Sequence, residues 1–214
     1  MQIRYFNLKK RIIVLAALVV SFSLLTLLAQ NGELAAFENS VYTVLARHIN
    51  PTLTYIMTGI TNLGSTVAII TIIFVLLVLP FTRTRLGVPV AFNAIVSSVL
   101  NNVLKIIISR DRPDILRLVA ETGYGFPSGH AMNNAALYAI ITFITFGITK
   151  NNKVRILVLF GGALIAFLIG ASRIYLGVHN AGDVLAGWVM GVTVALFTYT
   201  VWRIYLVRSI VEKK

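Results

Sequence analysis

The chain has 214 residues, of which 57% are hydrophobic and only 12% charged, and its mean hydropathy is +0.85. Soluble globular domains carry about a quarter charged residues, so this balance excludes that class and points to a membrane protein. The net charge of +12 comes from cations spread between apolar runs, which fits membrane topology better than a nucleic-acid surface.

Spanning the hydrocarbon takes about 20 apolar residues per helix. Runs that approach this length lie at 12–29, 66–82, 87–108, 130–149, 154–171 and 183–203. They predict an all-α polytopic membrane protein with six transmembrane helices, built as a single domain over 1–214. The first run, within "KKRIIVLAALVVSFSLLTLLAQNG", has the basic start of a signal peptide, but it is long for one and "LLAQ" is a weak cleavage site. It reads as a retained helix.

Between the first two runs, Leu34, Phe37, Val41, Val44, Leu45 and Ile49 recur at helical spacing on one face. Asn50-Pro51 has the chemistry of a cap and first helical position for a further short segment ending near Gly64. Both read as short interfacial helices packed over the bundle.

The third run is less uniform. Asn93, Ser97, Asn101 and Lys105 recur every four residues, with Ser98 and Asn102 beside them, and lipid does not tolerate such a stripe, so it is expected to face the bundle interior. Small residues at Gly162, Ala166 and Gly170, and again at Gly187 and Gly191, predict close helix packing within the bundle.

With a cytoplasmic N-terminus, the inner segments hold Arg4, Lys9, Lys10, Arg11, Arg83, Arg85, Lys150, Lys153, Arg155, Arg203, Arg208, Lys213 and Lys214, as the positive-inside rule requires. Arg47, Lys105, Arg110, Arg112, Arg117 and Arg173 are left outside. A cationic cluster where few cations belong implies an anionic ligand.

Three stretches collect the reactive groups on that side: "KIIISRDRP" (105–113), "PSGH" (127–130) and "SRIYLGVHNAGD" (172–183). Lys105, Arg112 and Arg173 can surround a multivalent anion, and the guanidinium fork suits phosphate oxygens. Ser128 and Gly129 stand at the start of the fourth helix, where free N–H groups and the dipole also favour an anion. His179 and Asp183 are four apart, so a helix starting near them would put both on one face and let the carboxylate orient an imidazole nucleophile or base. His130 can protonate a departing oxygen. Arg110 and Arg117 read as structural, paired with the nearby Asp111 and Asp114. Tyr124, Phe126 and Tyr175 are candidates to line the site, and His48 reads as an ordinary hydrogen-bonded histidine.

A metal held by His130, His179, Asp183 and Asp111 or Asp114 fits poorly, because the surrounding cations repel a divalent ion and no second carboxylate has ligand spacing to the histidines. No metal or other cofactor is expected. The chain has no cysteine, so thiolate chemistry is also ruled out. A non-hydrolytic protein that binds or moves anionic lipids would use the same cations, but it would need neither two histidines nor the His179–Asp183 pair.

Lys105 and Arg112-Pro113, then Pro127-Ser128-Gly129-His130, then Ser172-Arg173 with His179 and Asp183, together resemble the three-part signature of the type 2 phosphatidic acid phosphatase superfamily. Soluble acid phosphatases and vanadium haloperoxidases share that signature without spans, so hydropathy selects the membrane lipid phosphatases. The resemblance implies that His179 attacks phosphorus to form a phosphohistidine while Asp183 orients it. It further implies that His130 serves the leaving group and then the water, and that Lys105, Arg112, Ser128, Gly129 and Arg173 hold the phosphate. It suggests phosphatidylglycerophosphate as substrate, with undecaprenyl pyrophosphate as the alternative. The small chain and compact loops fit a multi-pass enzyme of a bacterial cell membrane with both termini cytoplasmic and the site outside. Its expected partners are a lipid phosphate and the bilayer, with no nucleic acid and no obligate protein partner.

Overall fold

The computed structural model describes residues 8–211, and side chains through residue 205. Arg4, Lys213 and Lys214, and the side chain of Arg208, lie outside the described residues. The regular structure described is entirely helical: α1 (Leu8–Gln30), α2 (Ala35–Ala46), α3 (Pro51–Leu63), α4 (Thr66–Val78), α5 (Pro80–Thr82), a π-helical turn (Arg83–Gly87), α6 (Val88–Ile108), α7 (Gly129–Ile148), α8 (Asn152–Tyr175) and α9 (Ala181–Val211).

Five helical stretches are long and apolar enough to cross a membrane alone, and counting α3 with α4 as one crossing bent by 44° gives six. The second crossing therefore differs from the expected straight run at 66–82. With 13 residues α4 reaches only about 20 Å, short of the roughly 30 Å of hydrocarbon, so it is long enough to cross only when α3 is counted with it. Asn50 caps α3 through its side-chain oxygen, 2.9 Å from the Leu53 N–H, with Pro51 in the first turn, as the sequence predicts. What the periodicity did not reveal is that α3 and α4 together are long and apolar enough for one bent crossing. At the bend, Ser65 caps α4, and the Gly64 carbonyl accepts from Asn134 Nδ2 at 2.9 Å.

The bundle centre is α7 against α9. Over the most apolar 18 residues of each, 56% and 61% are buried inside the protein, against 11% for the outlying α1. Glycines set the approach: a Cβ on Gly191 would stand 2.3 Å from the Met132 carbonyl oxygen, and one on Gly187 would stand 2.9 Å from that of Ser128. On α8, Gly170 faces Trp188 and Gly162 faces Tyr138. The small-residue stripes thus serve packing within the bundle.

The polar stripe of α6 also faces inward, but it is narrower than expected. Asn93, Ser97 and Asn101 are buried; Ser97 donates to Asn133 at 2.7 Å and Asn101 to the Pro127 carbonyl at 3.3 Å. Ser98 and Asn102 sit about 100° further round the helix and are exposed, and Asn102 turns back onto the Ser98 carbonyl at 3.1 Å.

Candidate active site

The site is assembled where α6 and α8 end and α7 and α9 begin. The stretch 172–183 makes the tightest of these junctions. Helix α8 closes with Gly177 at φ +72, its N–H on the Ile174 carbonyl (3.0 Å) and the Val178 N–H on the Arg173 carbonyl (3.2 Å). This paired closure needs a left-handed residue. Here it must be glycine for a second reason as well, since a Cβ would lie 2.1 Å from the Leu116 carbonyl oxygen. Helix α9 then begins at Ala181, and Oδ2 of Asp183 in its first turn accepts the Asn180 N–H at 2.9 Å, the reach-back half of a capping box.

His179 therefore precedes α9 instead of riding on it. It meets Asp183 because the turn folds it back, with Nδ1 at 3.5 Å from Oδ2. The expectation of a shared helix face is corrected: the pair is made by the turn. At 3.5 Å the contact is looser than a hydrogen bond; contacts of this kind commonly tighten when substrate binds. His179 is 2% exposed and Asp183 fully buried. Burial pushes the His179 imidazole down to about 4, outweighing the upward pull of Asp183, so the ring is neutral at pH 7.

Arg112 meets the free edge of that ring, and three further cationic and polar groups gather nearby. Arg112 Nη1 lies 3.3 Å from His179 Nε2 and donates to the Val178 carbonyl at 2.9 Å, while its other nitrogens hold the carbonyls of Gly123 and Thr122. Arg173, from α8, donates to Thr61 of α3 at 2.9 Å and pairs with Glu121. Lys105, in the last turn of α6, donates to the Tyr124 carbonyl. His130, in the first turn of α7, is within electrostatic reach of Arg173, Glu121, His179 and Arg112.

Ser128 and Gly129 contribute less uniformly than expected. The Ser128 N–H is already taken by the Asp183 carbonyl at 3.0 Å, so it is not available to an anion. Its hydroxyl is buried and has no partner. The Gly129 N–H stands in the first helical turn, where backbone donors lack intrahelical acceptors. A Cβ on Gly129 would come 3.0 Å from Asn101 Oδ1.

The expected pairing of Arg110 and Arg117 with Asp111 and Asp114 is not what forms. Arg110 bridges Glu38 of α2 and Asp183, and Arg117 donates to the Pro113 carbonyl at 3.2 Å. Among the described residues, neither Asp111 nor Asp114 makes an ion pair. Two of the three aromatics considered as site lining are engaged elsewhere. Phe126 is buried against Phe22, and the Tyr175 hydroxyl is held by Thr54 and the Asn50 N–H.

Glu38, Thr61 and Glu121 are the site residues that sequence reasoning missed. Glu38 left a signal: it falls on the apolar face of Leu34, Val41 and Leu45, where an acid belongs only if a cation waits for it. Glu121 left none. Burial alone would raise its carboxyl, but the charge and hydrogen bond of Arg173, helped by Arg112, hold it below the usual carboxylate range.

The sequence profile of the PAP2 superfamily matches residues 86–205, which contain all three motifs and every helix that carries them. The chain belongs to the PAP2 superfamily. Phosphatidylglycerophosphatase B of Bacillus subtilis is 38% identical over 144 residues, covering 66% of this chain and 71% of that protein. The crystal structure of a transmembrane PAP2 type phosphatidylglycerolphosphate phosphatase from the same organism superposes with a TM-score of 0.78 at 30% identity, over 86% of this chain and 93% of the other. An undecaprenyl-diphosphatase of Sulfolobus acidocaldarius is 34% identical over 54% of this chain and 55% of that protein. The protein is a multi-pass membrane enzyme, a PAP2 lipid phosphatase.

Proposed function

We propose that this PAP2 enzyme hydrolyses the phosphomonoester of phosphatidylglycerophosphate through a phosphohistidine on His179, in a site at the outer membrane face. The carrying observation is the His179 ring: neutral, backed by the Asp183 carboxylate on Nδ1 and facing the Arg112 guanidinium with Nε2.

Nε2 attacks phosphorus in line, the P–N bond forms and the P–O bond to the glycerol breaks. His130 gives its proton to the departing alkoxide. Asp183 stabilises the imidazolium character that develops at His179. Neutral His130 then takes a proton from water as the water's oxygen attacks phosphorus; the P–N bond breaks and inorganic phosphate leaves. Lys105, Arg112, Arg173, the Ser128 hydroxyl and the Gly129 N–H hold the non-bridging oxygens, where the charge of the transition state is spread. These fixed charges do the electrostatic task without a metal.

The substrate reading is supported by the 38% identity to the Bacillus phosphatidylglycerophosphatase. The identity to an undecaprenyl-diphosphatase favours polyprenyl diphosphate as the second reading. The orientation is supported by Arg11, Arg83, Arg85, Lys150 and Lys153 near helix ends remote from the site, and by Arg203 in the half of α9 that is distant from it, where the positive-inside rule puts the cytoplasm. Purified protein in detergent, given phosphatidylglycerophosphate, phosphatidic acid and undecaprenyl pyrophosphate, should release phosphate fastest from the first. Highest kcat/KM on the diphosphate would install the second reading, and lipid binding without any phosphate release would show a non-hydrolytic protein.

A further inference from the structure

We propose that Arg110, anchored by Glu38 of α2, is a positioning residue for the reaction: it holds the Asp183 carboxylate in the orientation that His179 requires. This rests on the reading of His179 as nucleophile.

Asp183 is fully buried and its two oxygens have separate duties. Oδ2 accepts the Asn180 N–H and faces His179 Nδ1; Oδ1 accepts Arg110 Nη1 at 2.6 Å. Arg110 in turn grips Glu38 with two nitrogens, at 3.0 and 2.8 Å, in the planar fork that fixes an arginine's orientation. Its backbone is pinned as well, the carbonyl accepting the Gly125 N–H at 2.7 Å. Glu38 is buried and crosses the first turn of α9 at Gly182, where a Cβ would lie 2.5 Å from its Oε1. Residue 182 without a side chain leaves room for the contact.

The electrostatics give the arrangement its purpose. A single buried carboxylate without a cation is strongly disfavoured. A cation devoted wholly to Asp183 would neutralise the charge that steadies the His179 imidazolium. Shared with Glu38, Arg110 fixes Asp183 while leaving it part of its charge. The guanidinium sits on the Oδ1 side, away from the ring, so it touches neither His179 nor the reacting phosphate. The charged groups that face His179 are Asp183 from α9, Arg112 from the 109–128 loop, Arg173 from α8 and His130 from α7.

The test compares wild-type protein with Arg110→Gln, Arg110→Lys, Glu38→Gln and His179→Ala on phosphatidylglycerophosphate, reading kcat, KM and the acid limb of the kcat/KM profile. Arg110→Gln should lower kcat by about tenfold or more with KM within about twofold, as loss of an orienting partner does. Its acid limb should move to higher pH, because an uncompensated Asp183 draws a proton to His179. Arg110→Lys should recover most of kcat. Glu38→Gln should lower kcat by about threefold or more without the upward shift, since it leaves the Arg110 cation in place.

Wild-type kcat in a folded Arg110→Gln protein, a loss confined to KM, or a loss of kcat with an unmoved acid limb would each overturn the proposal. Should Arg110→Gln fail to fold, Glu38→Gln decides, and wild-type kcat there overturns it. An inactive His179→Ala beside a normal Arg110→Gln rejects this inference alone. An active His179→Ala rejects the nucleophile reading and this inference with it.

Discussion

Arg112 Nη1 and His179 Nε2 lie 3.3 Å apart, and the same guanidinium nitrogen also donates to the carbonyl of Val178, the residue just before the histidine. The backbone that delivers His179 thus also locates its cationic neighbour. A donor facing Nε2 assigns the lone pair to that nitrogen and the ring proton to Nδ1, toward Asp183. In the proposed mechanism the donor that faces Nε2 is also the group that holds a phosphate oxygen when Nε2 attacks.

With the His179 imidazole pushed to about 4 by burial, the free enzyme keeps a neutral nucleophile well below pH 6.5. Once corrected for titration of the lipid phosphate, the acid limb of kcat/KM is expected far below the ordinary histidine range, nearer pH 4. A limb at pH 6.5 would show that His179 is not the neutral group required.

Replacement of either histidine separates their roles. His179→Ala should lower kcat by about a thousandfold or more and abolish acid-labile phosphoprotein in a rapid quench with labelled substrate. His130→Ala should lower kcat by about a hundredfold and still form phosphoprotein from a substrate with an activated leaving group. Phosphoprotein in the His179→Ala variant would reassign the nucleophile.

Vanadate adopts the trigonal bipyramidal geometry of phosphoryl transfer and is expected to compete with substrate at this ring of cations. Turnover should be unchanged after dialysis against EDTA, because Lys105, Arg112 and Arg173 supply the positive charge. A loss of activity restored by adding a divalent cation would contradict the scheme, as would complete indifference to vanadate.

Glu121 occupies the cations proposed to hold the phosphate, pairing with Arg173 and lying 3.5 Å from Arg112. A phosphate must displace it or accept its repulsion. Glu121→Gln should therefore tighten inhibition by inorganic phosphate by about fivefold to tenfold, the scale of one like charge about 4 Å away under the full screening of water. Unchanged or weaker inhibition would mean that Glu121 helps to present Arg173 instead.

Gly191→Ala tests the α7–α9 contact. With 2.3 Å between its Cβ and the Met132 carbonyl oxygen, the helices must separate, and a destabilisation of about 1–3 kcal/mol is expected, read as a lower Tm in detergent. Gly161→Ala, where nothing lies within 4 Å, is the control and should leave Tm unchanged. Equal behaviour of the two would refute the close packing.

The sequence by itself determined the helical membrane class, most helix positions and the motif residues that the fold brings together. Hydrocarbon thickness imposes length on apolar runs, and phosphate chemistry demands cations, histidines and a carboxylate that are conspicuous in a chain with so few charges. The Asn50-Pro51 cap and the inward face of Asn93, Ser97 and Asn101 were legible for the same local reasons.

Only the tertiary structure decided what depends on groups distant along the chain. That α3 and α4 join across a bend, that His179 meets Asp183 through a turn, and that Arg110 chooses Glu38 and Asp183 over adjacent Asp111 all follow from packing. A half-buried guanidinium goes to the carboxylates that are themselves buried, because for them the loss of solvent leaves no other compensation, whereas its neighbours in sequence remain free to face water.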